Sequence, residues 1–247
     1  MARSFLVGAH RRSWQAGLLA LATVCAMQTA SAQYTMEFAQ TYNAPASNFI
    51  SNTFLNQQAL ITATRPQAGA GQQAPSKGAA RQQQPVLAPP QVARSAAELA
   101  QAAPAPQRAR LAKVYGELMP GYHQLERKLG WPADDLAGAM AALRAGNYMA
   151  MTGTVLSDAS VSAAGHQLRA SASVQSLVAR LSPVERRRLY EQCAMLGTFM
   201  ALANTTRQQQ SAEAAAGLRT SARANLHAVL GDAAEGLRFT DRGIQLR

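Results

Sequence analysis

Residues 182–203 read SPVERRRLYEQCAMLGTFMALA, and this stretch decides the fold. Ser182, Pro183 and Glu185 form a helix start: a serine to cap, a proline at the first helical position, and a glutamate three residues on to close a capping box. From Cys193 to Ala203 the residues are apolar nearly all round, without the polar face that a surface helix carries. The spacing predicts a helix running through Tyr190 toward Arg207, at the centre of an all-α fold. Cys193 lies on it and is expected to be a buried, inert thiol.

Working upstream, Leu168, Val174, Leu177, Val178 and Leu181 give residues 162–181 one apolar helical face. Residues 147–160 (NYMAMTGTVLSDAS) read as the longest irregular connection of the domain. Before them, Pro132 opens a helix at its first turn, with Asp134 and Asp135 complementing its dipole. Leu136, Met140 and Leu143 line its buried side, and Gly146-Asn147 marks its end. A longer run from Pro106 carries Leu111, Val114, Tyr115, Leu118, Tyr122, Leu125 and Leu129 on one face and stops at Gly130. Pro120 interrupts this run and is expected to kink or split it after Leu118. Ser95 and Glu98 fit a capping box for a short first helix ending before Pro104.

Downstream, a last long helix spans about Ser211 to Leu230 and ends at Gly231, with a short extended tail over Leu237 to Leu246. The domain at residues 95–247 is therefore expected to be all-α, a bundle of five or six helices.

The first thirty-two residues have a different character. Arg3, Arg11 and Arg12 precede a short apolar run, LLALATVCAM at 18–27, and Ala30-Ser31-Ala32 offers a small-x-small cleavage site. This is the layout of a secretory signal peptide, and its apolar run is too short for a permanent membrane helix. Arg11-Arg12 also admits a twin-arginine route. Export to the periplasm or the secreted space follows, and it makes intracellular nucleic acid, ATP and NAD unsuitable partners. After cleavage no transmembrane segment is expected, and Cys193 is left without a second cysteine for an intrachain disulfide.

Cleavage after Ala32 removes three of the 24 Lys and Arg and none of the 13 Asp and Glu, leaving 21 against 13, a net charge of +8. That balance favours anionic partners outside the cell, an anionic polymer among them. Residues 33–61 are aromatic and Asn-rich with a single charge, Glu37, and Ile50, Phe54, Gln57 and Ile61 sit at the spacing of one short helix. Residues 62–94 are dominated by Gln, Ala, Pro and Gly and read as a disordered linker that cannot offset its ordering entropy.

Motifs that carry chemistry are scarce. His123 and Glu126 form an i, i+3 pair, but a two-metal bundle needs a second such pair, which the chain lacks. The sequence has no His-Glu-x-x-His, no Gly-x-Ser-x-Gly and no phosphate-cradling glycine loop, so neither catalytic residues nor a metal or cofactor are assigned. Asp134-Asp135 reads as dipole complementation. Arg186-Arg187-Arg188 reads as a solvated helical face. The candidate ligand-binding residues are Tyr122, Glu126, Asn147, Tyr148, Asp158, Tyr190 and Glu191, grouped around the 147–158 loop, where tyrosines and asparagine in an irregular segment suit recognition.

Four segments occur in order: Leu-x-x-Gly-Tyr-x-x-Leu-Glu-x-x-Leu-Gly at 118–130, Asp-Leu-Ala-Gly-Ala-Met-Ala-Ala at 135–142, Gly-Asn-Tyr at 146–148, and Arg-Leu-Tyr-Glu-Gln-Cys-Ala-Met-Leu-Gly-Thr-Phe at 188–199. This order resembles a family of uncharacterised exported bacterial helical proteins classed as a domain of unknown function. The resemblance covers about residues 95–247 and says nothing on 33–94. It implies export and an all-helical domain, and it carries over no catalytic residue.

Three functions are compatible with these features. The first is a non-enzymatic exported domain that binds a protein or envelope component through a tethered 33–61 segment. The second is an exported enzyme or small-ligand binder with a pocket near the 147–158 loop. The third is a binder of anionic polymers.

Overall fold

The computed structural model describes residues 87–246. These form seven α-helices and one small hairpin: α1 Val92–Ala100, α2 Arg108–Lys128, α3 Leu136–Thr152, α4 Asp158–Ala170, α5 Ala172–Arg180, α6 Pro183–Thr205 and α7 Ala212–Leu230, then β1 Arg238–Thr240 and β2 Gly243–Gln245. The expected 1–32, 33–61 and most of the 62–94 segments lie outside the described residues. Leu87–Arg94 do not belong to a linker, because α1 begins at Val92 and packs on the bundle.

The capping box at the start of α6 is formed. The Ser182 hydroxyl accepts from the Glu185 backbone N–H at 3.3 Å, and the Glu185 carboxylate accepts from the Ser182 N–H at 2.8 Å. Such a cap contributes about 1 kcal/mol. Leu189, Tyr190, Cys193, Ala194, Met195, Leu196, Phe199 and Met200 are all buried, so α6 is the central helix its composition announced. α3 lies along it with the backbones almost touching: a Cβ on Gly197 would sit 2.6 Å from the Ala142 carbonyl. α2 packs on another side through Tyr115 against Phe199, ring centroids 5.4 Å apart. α1 joins α2 and α6, while α4 and α7 flank α3.

Glycines also shape the seat of Trp131. A Cβ on Gly138 of α3 would come within 2.7 Å of the indole, and one on Gly165 of α4 within 2.5 Å. The ring fills the slot between the two helices. The C-terminal hairpin pairs Phe239 with Ile244 and is tied to α4 by Gln167, which accepts from the Ile244 N–H at 2.6 Å and donates to its carbonyl at 3.0 Å.

Several boundaries differ from those expected, each for an identifiable reason. α3 does not stop at Gly146-Asn147. Gly146 faces Gly197 across the α3–α6 contact, and the true terminator is Gly153, at φ 75°. Residues 147–152 are therefore helical, and the irregular connection is short. α3 also begins at Leu136 rather than Pro132, because Asp135 is its cap, accepting from the Gly138 N–H at 2.9 Å.

Pro120 leaves α2 unsplit. It is on the exposed side, and Leu118, Met119 and Tyr122 around it are buried in one core, which outweighs a cost of about 3 kcal/mol. Residues 162–181 form two helices, divided at Ser171, whose backbone is extended and whose hydroxyl bonds Ser173 at 2.9 Å. Ser95 is a mid-helix residue and caps nothing. No helix among the described residues is long and apolar enough to cross a membrane.

Candidate functional site

The seven candidate residues do not converge. Three of them do, at the crossing of the C-terminal half of α2 with the N-terminal half of α6. Glu126 is buried there, 3% exposed, with Oε2 accepting from the Tyr190 hydroxyl at 3.0 Å and Oε1 accepting from the Asp135 N–H at 3.2 Å. Tyr122, one turn earlier on α2, meets the Tyr190 ring edge-on with centroids 5.8 Å apart.

Burial removes water from this carboxyl and raises it to about 7, with Asp134 and Asp135 adding repulsion and the two hydrogen bonds opposing. The same burial, together with the nearby Glu126, raises both tyrosine hydroxyls well above their ordinary range. They stay protonated, and the Tyr190 hydroxyl donates to the Glu126 carboxylate. The Tyr122 hydroxyl is buried and has no hydrogen-bond partner among the described residues.

The 129–135 connection completes the surroundings. Asp134 adopts a left-handed backbone, φ 59°, and is gripped by Arg187 through two hydrogen bonds of 2.9 and 3.1 Å. Asp135 is paired with Arg169 of α4. Arg187 and Arg169 are thus engaged, and among the described residues Glu126 forms no ion pair. Beside it opens a cleft of about 270 Å3 lined by His123, Glu126, Arg127, Trp131, Ala133 and Asp134. Among the described residues no group of three or more His, Cys, Asp or Glu is arranged to hold a metal ion.

Arg187 departs from the solvated face expected for the arginine run. It is 5% exposed, its guanidinium lies 5.5 Å from the Tyr190 ring centroid, and its Nε donates to the Ala88 carbonyl at 2.7 Å. Nothing in the sequence marked Arg187 out from Arg186 and Arg188, since the distinction comes from which of the three points inward.

Residues 10–247 match the sequence model of the Family of unknown function (DUF6683). The chain belongs to that family. The match begins far upstream of residue 95, so in DUF6683 the N-terminal region is part of the family's extent and not an addition to the helical domain. No curated protein and no solved structure matches the chain.

In this DUF6683 member the other four candidate residues hold elements together. Glu191 accepts from the Gln91 N–H at 2.8 Å and from the Ser95 hydroxyl at 2.6 Å, clamping the start of α1 to α6. Asn147 accepts from the Asn225 side chain at 2.8 Å, joining α3 to α7. Tyr148 packs on Phe239 of the hairpin, centroids 5.2 Å apart. Asp158 is exposed in the first turn of α4 and pairs with Lys128 at 2.6 Å. Cys193 is buried, and its thiol is pushed up to about 12 by that burial.

Proposed function

We propose that this DUF6683 member is an exported, non-enzymatic helical domain of the periplasm or secreted space that acts by binding a protein or envelope component. The observation supporting this reading is the anchoring of Ala88, at the start of the described residues, to α6. The Ala88 N–H donates to the Pro183 carbonyl at 3.1 Å, while its carbonyl accepts from Arg187. Arg187 in turn holds Asp134 on the wall of the cleft. Ala88 is therefore held against the start of α6 from both sides of its peptide backbone.

In the sequence the chain upstream of Leu87 is an aromatic, nearly uncharged segment at 33–61 followed by a Gln/Pro/Ala-rich spacer, the order of a docking segment on a tether. A flexible 62–86 spacer of 25 residues would reach about 25–30 Å, enough to present 33–61 to a neighbour. The test is capture from envelope extract with the mature chain and with a version lacking 33–86, the cut that leaves α1 intact. A partner held by the first and not the second supports the reading. Equal capture by both, or by neither, contradicts it.

A second reading rests on Glu126. An uncompensated acid titrating near neutrality on the wall of a small cleft is an arrangement found in ligand sites, and it moves the expected pocket from the 147–158 loop to the α2–α6 crossing. A thermal-shift screen of small ligands against the native chain and Glu126→Gln tests it. Hits lost in the variant support a ligand site, and hits shared by both count against it.

A further inference from the structure

Arg144 is among the largest fully buried side chains of the interior. It projects from the middle of α3 and is 2% exposed. Nη1 makes one long hydrogen bond, 3.3 Å, to the Met140 carbonyl, and Nη2 has no partner among the described residues. Burial lowers the guanidinium only to about 10, so it remains charged at neutral pH. An unpaired buried cation is strongly destabilising, and folded domains neutralise it with a counter-charge.

Among the described residues no carboxylate supplies one. Twelve of its 13 acids lie in the described residues, and only Glu126, Asp135 and Glu191 of these are buried. Those three are engaged with Tyr190, Arg169 and Ser95 respectively. The ionisable neighbour of Arg144 is Cys193, whose thiol burial keeps neutral.

We propose that Arg144 holds a small inorganic anion of the halide type, enclosed between α3 and α6. Gly197, one turn after Cys193 on α6, presses on the backbone at Ala142 and Leu143, just before Arg144, and so close a helix contact favours a monatomic ion over an oxyanion. The ion completes the guanidinium's hydrogen bonding at Nη2 and cancels its charge. It is a structural ligand, separate from the cleft at Glu126.

The test uses the full mature chain, with thermal unfolding followed in sodium chloride and in sodium gluconate at equal ionic strength. The proposal expects the midpoint to rise by about 3–6 °C for each tenfold increase of chloride above its dissociation constant, with gluconate inert. Arg144→Met, similar in length and uncharged, should fold and lose the chloride dependence. Broadening of the chloride-35 resonance by the native chain, displaced by bromide, reads the same site without a variant. A midpoint indifferent to chloride, or an equal dependence in Arg144→Met, would overturn the proposal. So would loss of stability in Glu37→Gln with no halide effect, since Glu37 would then be the counter-ion.

Discussion

Gly146 and Gly197 meet backbone to backbone, and this contact sets how closely α3 approaches the central helix. A Cβ on Gly146 would fall inside the van der Waals surface of the Gly197 carbonyl oxygen, which belongs to a helix backbone and cannot turn aside. Gly146→Leu is expected to lose about 3 kcal/mol or more in urea unfolding, through overpacking. Gly121→Ala is the control: it sits on α2 with nothing within 4 Å of a new Cβ, and it should stabilise by up to about 1 kcal/mol.

The pH dependence of stability should trace to Glu126. Its carboxyl ionises at about 4.5 when unfolded and at about 7 when folded, so the folded state favours the protonated form. Stability from this group is full below pH 4.5 and is lost as pH rises toward 7, by about 3 kcal/mol at most. Glu126→Gln keeps an oxygen for the Tyr190 hydroxyl and carries no charge. It should match the native chain near pH 4.5 and exceed it at pH 8, as read from urea midpoints at both values.

Glu191 is expected to be the clamp on α1. Glu191→Ala leaves the Gln91 N–H and the Ser95 hydroxyl without their acceptor and should cost about 2–4 kcal/mol. Hydrogen exchange locates the loss: protection across 92–100 should fall further than across α3 or α7. A uniform fall would contradict a local clamp.

The Cys193 thiol should resist modification. Buried and held at about 12, it offers almost no thiolate at neutral pH. An aromatic disulfide reagent should label it only after unfolding, and rapid labelling of the native chain would contradict the packing of α6.

What the sequence made legible was local. The cap at Ser182 announces its helix, because the signal and the contact lie within three residues. The apolar stretch from Cys193 placed α6 at the centre for a similar reason. Gly146 was misread because a glycine that ends a helix and one that admits a neighbouring helix look alike in sequence. The candidate site was half legible. Tyr122 and Glu126 share a helical face, but the Tyr190 contact spans 64 residues and depends on how α6 crosses α2. Asn147 and Tyr148 looked like recognition residues only while they were taken as loop. In a helix they face α7 and the hairpin.

Everything proposed about function depends on export, and the N-terminus of the protein in its host tests this most directly. The account predicts that the chain recovered from the periplasmic or secreted fraction begins at Gln33, by intact mass and N-terminal sequencing. A chain recovered from the cytoplasm with residues 1–32 still attached would contradict it.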